Sequence, residues 1–292
     1  MILKNLLVSL RPKQWIKNLF VILPIIFGRK LFVSPENINT VIAFLLFCMA
    51  SGVVYVMNDI LDVEKDKLHP DKKQRPIASG RVTVRHAAGF ALLLGCLSIL
   101  FSFLLDKTFG WTIIVYLVFN LLYTRVLKEA VIIDVFCIGV FFLLRILAGG
   151  VVAKTGVSHW ILFMTTLLAL FLGFSKRRQE LSLYGKTAAS HRSVLAKYNP
   201  YFIDQMVAVI TSSIVIAYML YTVDGATVGR FGTDHLMFSI PFVYYGIFRY
   251  LYLIHEKHQD ADPTRLLLSD GKMQINLALW VAVCVGVIYF GV

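Results

Sequence analysis

Nine apolar stretches, most of them close to the length of a bilayer crossing, recur along this chain at 19–32, 38–57, 86–105, 109–123, 131–152, 157–174, 203–223, 236–254 and 274–292. A hydrocarbon core takes ~20 residues of helix. Lipid offers no water to satisfy backbone amides, so each stretch is expected to be helical. The period-two alternation of a membrane barrel is absent. Of the 292 residues, 58% are apolar and 16% charged, against roughly 45–50% and ~25% in soluble domains. A soluble enzyme, a disulfide scaffold and a disordered tail are excluded. Stretches 19–32 and 109–123 are short for a full crossing.

Charge placement supports nine spans with a cytoplasmic N-terminus. With sides alternating, 22 of the 29 Lys and Arg residues fall on the N-terminal side and 5 on the other, while Arg145 and Arg249 lie within spans. That asymmetry is what the positive-inside rule expects. It also accounts for the net charge of +12, so no nucleic-acid partner is expected. Cys48, Cys96, Cys137 and Cys284 sit inside apolar runs without C-x-x-C spacing and read as packing residues. No small-residue cleavage site follows the first stretch, which reads as a retained span. The loops at 58–85 and 175–202 are too short to be domains but long enough to cap a site. One membrane domain over 1–292 is expected.

The polar end of the second stretch carries chemistry. Asn58-Asp59-Ile60-Leu61-Asp62-Val63-Glu64-Lys65-Asp66 follows an apolar run ending at Met57. At about 100° per helical residue, Asn58, Asp62, Asp66 and Asp59 fall at roughly 0, 40, 80 and 100°, with Glu64 on the opposite side. Three carboxylates and an amide on one stripe repel unless a cation sits among them. Hard oxygen donors in this number suit Mg²⁺ bridging to phosphate oxygens. A solvated helix end salted by Lys65, Lys67 and Lys72 explains the charge but not its confinement to one face.

N-D-x-x-D-x-x-x-D at this place resembles the first aspartate-rich motif of the UbiA superfamily of intramembrane prenyltransferases. The likeness continues through Arg75-Pro76-Ile77-Ala78-Ser79-Gly80 and through Tyr123 and Lys128. It implies an all-α integral membrane protein, nine transmembrane helices around a central cavity with a cytoplasmic cap, and a prokaryotic inner-membrane location. Most members carry a second D-x-x-x-D after the sixth span. Here the sequence reads Ser175-Lys176-Arg177-Arg178-Gln179-Glu180. Fewer carboxylates and more cations favour a ligand more negative than a diphosphate; a positive-inside anchor would explain the bases alone.

Arg11–Asn18, the aspartate motif, His69–Gly80, Tyr123–Lys128, Asp134-Val135 and K-R-R-x-E together resemble the superfamily's polyprenyl-phosphate phosphoribosyltransferase branch. That resemblance implies phosphoribosyl diphosphate as donor and polyprenyl phosphate as acceptor, with displacement at ribose C1 releasing diphosphate. Asp59, Asp62 and Asp66, with Asn58 assisting, would hold Mg²⁺. Lys176, Arg177 and Arg178 are candidates for the donor phosphates, with Glu180 placing them or a ribose hydroxyl. Three successive helical residues cannot all face one cavity. Arg75, Lys128 and Tyr123 complete the clamp, and Asp134 joins the motif set. Lys13, Gln14 and Lys17, beside Trp15, meet either the lipid phosphate or anionic headgroups. Asp134 and Arg145 share a helix face, and either a functional role or an interhelical ion pair fits them. Self-association is left open. A prenyl diphosphate donor is disfavoured by the missing second motif. A transporter is disfavoured because its polar groups belong on broken helices near the midplane.

Overall fold

The structure, a computed structural model, describes residues 2–69, 72–184, 193–255, 266 and 269–291. Residues 185–192 of the expected cap loop, Pro70 of the His69–Gly80 motif and Val292 of the last stretch lie outside them. Every regular element among the described residues is helical. In chain order these are α1 (Ile2–Ser9), a 3₁₀ helix (Pro12–Val21), α2 (Leu23–Phe27), α3 (Glu36–Leu61), α4 (Val63–Leu68), α5 (Val84–Leu105) and α6 (Lys107–Arg125). Then follow α7 (Ile133–Val152), α8 (His159–Tyr184), α9 (Pro200–Val223), α10 (Gly225–Phe231), α11 (Ile240–His255) and α12 (Gly271–Phe290), with short 3₁₀ turns at Lys72–Gln74, Leu127–Glu129, Ser193–Lys197 and His235–Ser239.

Seven helices are long and apolar enough to cross a membrane among the described residues: those of α3, α5, α7, α8, α9, α11 with its preceding turn, and α12. The protein is a multi-pass membrane protein. The other two expected spans are the ones the sequence marks as short. Helix α6 has 19 residues but carries Asn120 in its interior and a charge at each end. The first stretch is broken, because the 3₁₀ helix ends at Val21 and α2 has only five residues before Gly28. Polar side chains define the starts. Thr83, Asp106, Asn199 and Asp270 each accept from a backbone amide in the first turn of α5, α6, α9 and α12.

The chain forms two compact units, Met1–Val126 with Leu144–Val157, and Leu127–Leu143 with Ser158–Val292. In the first, α3 packs on α5 and α6, and the 3₁₀ helix lies along α3. Its core includes Leu10, Val53, Val56, Ile77, Val82 and Ala87. A Cβ at Gly149 would stand 2.0 Å from the Val21 carbonyl oxygen, so only glycine lets α7 approach there. Arg145 is buried in this unit; its Nε donates to Asn18 Oδ1 at 2.8 Å and its Nη2 to the Tyr116 hydroxyl at 3.1 Å. The rings of Phe47 and Tyr116 flank it. Leu92, Leu104, Trp111 and Val118 are exposed, as lipid-facing residues must be.

In the second unit α8 packs on α9, and α11 on α12. Val135, Phe171, Phe174, Ile203, Ile214 and Tyr250 belong to its core. Gly173 brings α8 close to the first half of α7, where an added Cβ would lie 2.6 Å from Val135 Cγ1.

Candidate active site

In the first unit, α3 ends at Leu61 and α4 begins at Val63, yet the hydrogen-bond ladder runs through the join. The Asp62 amide donates to the Asn58 carbonyl at 2.9 Å, and the Asp66 amide to the Asp62 carbonyl at 2.8 Å. The backbone therefore keeps its helical rise across the break. Asp59 and Asp66 are both buried, and they converge on one guanidinium nitrogen. Arg75 Nη1 lies 3.1 Å from Asp59 Oδ1 and 2.6 Å from Asp66 Oδ2. The turn carrying Arg75 closes through Gly80 (φ 75°), and the Val82 amide donates to the Pro76 carbonyl. Glu64 points away, as expected, and pairs with Lys67 at 2.7 Å in the open. Asp62 is half-buried.

Arg11, which opens the Arg11–Asn18 motif but has no site role in the sequence pattern, is a member of this cluster. Its Nη2 pairs with Asp59 Oδ1, and its guanidinium lies over the Tyr55 ring at 5.0 Å. It adopts a left-handed backbone (φ 52°, ψ 64°), rare for a residue with a side chain, and so turns α1 into the 3₁₀ helix. Asn58 Oδ1 accepts from the Thr124 hydroxyl at 2.9 Å. A shallow recess between α3 and α6 adjoins it, lined by Val54, Met57, Asn58, Leu117, Asn120 and Thr124.

The second unit holds a different arrangement. Asp134 and Arg177 are almost completely buried, at 0% and 1% exposure. Arg177 Nε donates to Asp134 Oδ2 at 2.8 Å, and its Nη1 pairs with Glu180 one turn on. The Tyr198 hydroxyl donates to Asp134 Oδ1 at 2.8 Å and accepts from the Ile132 amide at 2.7 Å. Burial, helped by the adjoining Asp134 carboxylate, pushes the Tyr198 phenol up to about 12, so it keeps its proton at neutral pH. Arg178 turns to Asp204 at 2.8 Å. Lys176 is half-buried beside them, and Ser175 is buried with an unpartnered hydroxyl. The successive bases thus diverge, as helical spacing requires.

The remaining expected residues are spread over both units. Tyr123 lies in the last turn of α6, and Lys128 in the 3₁₀ turn Leu127–Glu129; both are half-buried. Lys13, Gln14 and Lys17 ride on the 3₁₀ helix, Lys13 exposed and the other two half-buried. The Gln14 amide oxygen is enclosed without a hydrogen-bond partner. Besides Arg11, sequence reasoning missed Tyr198, Asp204 and Asp270, the last of which takes both Nε and Nη2 of Arg249. For Asp204 and Asp270 the sequence signal is that the partner, Arg178 or Arg249, lies in or beside an apolar run and needs an anion.

Among the described residues no three His, Cys, Asp or Glu side chains gather to hold a metal. The donor set nevertheless fits a hard cation. Two buried carboxylates already share a single cationic nitrogen, that of Arg75, and carboxylate oxygens are the donors that such an ion takes.

Fold and site together define a polytopic α-helical membrane protein with a buried acidic cluster bridged by guanidinium groups. Residues 21–280 match the model of the UbiA prenyltransferase family. The chain belongs to that family. It is 33% identical to decaprenyl-phosphate phosphoribosyltransferase of Corynebacterium glutamicum, over 96% of this chain and 86% of that one. The Mycobacterium tuberculosis protein of the same name is 29% identical, over 97% and 94%. The fold matches that of a UbiA homolog from Archaeoglobus fulgidus bound to GPP and Mg²⁺, with a TM-score of 0.72 at 18% identity, over 97% of this chain and 99% of that one.

Proposed function

We propose that this protein transfers the 5-phosphoribosyl group of phosphoribosyl diphosphate to a polyprenyl phosphate such as decaprenyl phosphate. Diphosphate leaves, and the product is a polyprenyl-phosphoryl-5-phosphoribose, a lipid-linked pentose precursor for cell-wall polysaccharide. The enzyme is then a glycosyltransferase with its site on the cytoplasmic face of an inner membrane, in a single nine-span domain. The observation that carries this reading is near-full-length similarity to the two phosphoribosyltransferases in a chain reading S-K-R-R-Q-E where most of the superfamily has a second acidic motif.

Asp59 and Asp66, with Asp62, would hold Mg²⁺, which when bound neutralises charge on the departing diphosphate. Arg75, released from the two carboxylates, turns its N–H groups to the diphosphate oxygens, and Arg11 follows the same logic from Asp59. Thr124 occupies the Asn58 carbonyl oxygen and leaves the amide N–H₂ to donate to the donor's oxygens. Lys176 and Lys128 supply further charge for the phosphates, and Tyr123 a hydroxyl. Asp134, Arg177 and Glu180 keep the segment of α8 that carries Lys176 in place. Lys13, Gln14 and Lys17 meet the lipid phosphate at the membrane surface. That phosphate is ionised at pH 7, so the attacking oxygen needs no general base. Catalysis is positioning plus stabilisation of the leaving group.

The test is to supply labelled phosphoribosyl diphosphate to purified protein in lipid. Label should enter the organic phase only when polyprenyl phosphate is present, with stoichiometric release of diphosphate. Diphosphate release from a prenyl diphosphate, and none from phosphoribosyl diphosphate, would overturn the proposal.

A further inference from the structure

The second unit contains a strained backbone position with a single side chain placed to hold it. Ile132 adopts φ 68°, a conformation that is a strained outlier for a β-branched residue. Such a residue persists only where its surroundings over-determine it. Here two backbone bonds bracket the residue, from the Ile133 amide to the Val131 carbonyl at 2.8 Å and from the Asp134 amide to the Ala130 carbonyl at 3.0 Å, and one side chain, the Tyr198 phenol, takes its own amide. The Ile132 amide donates to the Tyr198 hydroxyl at 2.7 Å, and the Ile132 carbonyl accepts from the amides of Val135 and Phe136 as α7 begins. The Ile132 side chain is 40% exposed, so packing does not explain its conformation.

Tyr198 comes from a distant stretch. It follows the 3₁₀ turn Ser193–Lys197, whose Val194 and Leu195 are buried and which packs against the 3₁₀ turn Leu127–Glu129. The second turn carries Lys128, four residues before Ile132. The same hydroxyl donates to Asp134, which takes Arg177, which takes Glu180. One oxygen therefore joins the left-handed bend after Lys128 to the buried pair beneath Lys176.

We infer that Tyr198 is a positioning residue: its hydroxyl latches Ile132 in the left-handed conformation and thereby fixes where Lys128 meets the phosphates of the donor. The latch rests on hydrogen bonds and backbone geometry, and its consequence for the donor rests on the function proposed above. The phenol keeps its proton throughout; it donates to a carboxylate and accepts from an amide, and no bond to substrate is made.

The experiment separates the two. Tyr198→Phe keeps the ring and removes only the oxygen. In the protein in lipid nanodiscs, amide hydrogen exchange across residues 127–136 should accelerate at least tenfold in this variant. Its KM for phosphoribosyl diphosphate should rise about tenfold, with kcat and the KM for polyprenyl phosphate within about threefold of wild type. Glycine adopts φ 68° without penalty, so Tyr198→Phe with Ile132→Gly should recover most of the donor KM. A merely structural tyrosine would lower thermal stability without that rescue. Unchanged exchange over 127–136 in Tyr198→Phe would overturn the latch. Faster exchange with an unaltered donor KM, or no recovery in the folded double variant, would overturn the positioning role. Should Tyr198→Phe alone fail to fold, the double variant still decides through its donor KM. A wild-type protein that does not consume phosphoribosyl diphosphate refutes the proposed function and leaves the exchange result to judge the latch.

Discussion

The two units each carry a carboxylate–guanidinium cluster, and the clusters are built oppositely. Around Asp59 the anions are buried while the cations, Arg11 and Arg75, remain 29% and 28% exposed. Around Asp134 both signs are sealed, since Arg177 is 1% exposed and Asp134 not at all. A buried carboxylate served by half-exposed arginines can exchange its cation, because the arginines have water to turn into. An enclosed pair of this kind cannot exchange, because parting Arg177 from Asp134 leaves a buried carboxylate without its cation in low dielectric. The first cluster is suited to binding, and the second to holding shape.

Removing charge at the exchangeable cluster should have the largest effect on turnover. Asp59→Asn is nearly isosteric, yet it takes away the anion that Arg11 and Arg75 share. Diphosphate release should fall by about a hundredfold to a thousandfold, a range typical for loss of one preorganised electrostatic group. The unfolding temperature in detergent should change little. Retained turnover would make the Asp59 cluster structural and erase the contrast.

The sealed cluster predicts the reverse signature. Arg177→Met strands Asp134 and should cost about 3–5 kcal/mol, visible as a fall in unfolding temperature of more than about 5 °C. Lys176→Met, one residue away but outside the pair, should leave stability alone and weaken the donor roughly tenfold to a hundredfold. If instead Arg177→Met is stable and only donor affinity suffers, Arg177 contacts the phosphates and the second cluster is also a binding site.

These contrasts also show what the sequence makes legible. Helical period alone places Asn58, Asp59, Asp62 and Asp66 on one stripe; of these the structure brings Asp59 and Asp66 together on Arg75, while Asp62 is half-buried and no three acidic groups gather among the described residues. Glu64 is correctly placed outward by the same arithmetic. The seven strongest spans are legible because a bilayer admits few alternatives to helix. The first stretch is not, since a 3₁₀ helix and a five-residue α-helix with Pro24 near its start occupy residues that hydropathy scores as one run. Charge partners are illegible for another reason. Arg177 reads as one of three available bases, but its partner Asp134 lies 43 residues away, and Arg178 finds Asp204 at a separation of 26. Local pattern fixes which face a charge occupies, whereas tertiary packing decides whether that charge is already spent.

A smaller effect probes a third pair, at the start of α12. The Arg249 guanidinium donates to Asp270 and holds its carboxyl below the usual 3.8, assisted by the Met273 amide that Asp270 caps. A folded-state pKa lowered in this way gives stability that is present above the unfolded value and lost as pH falls through the folded one. Asp270→Asn keeps a good cap but loses the charge. Its unfolding temperature should sit modestly below wild type at pH 7, and the gap should close as pH drops beneath about 3.8. A gap that does not narrow at all as pH falls below 3.8 would assign the difference to packing.

The smallest expected effect is the most demanding test of the stripe. Glu64 is only two residues from Asp62 and Asp66, carries the same charge, and belongs to the same acidic run. Composition gives no reason to treat it differently. Geometry does: its side chain is 78% exposed and its partner Lys67 lies on the same outward turn. An exposed pair of this kind contributes about 0–1 kcal/mol. Glu64→Gln should therefore keep diphosphate release within about twofold and donor KM unchanged. Asp66→Asn, which frees Arg75 from one of its two carboxylates, should lower turnover at least tenfold. Measured side by side at saturating Mg²⁺, the two neutralisations differ only in the face they occupy. Equal damage from both would mean that net negative charge in the loop, and not convergence on one point, is what the site requires.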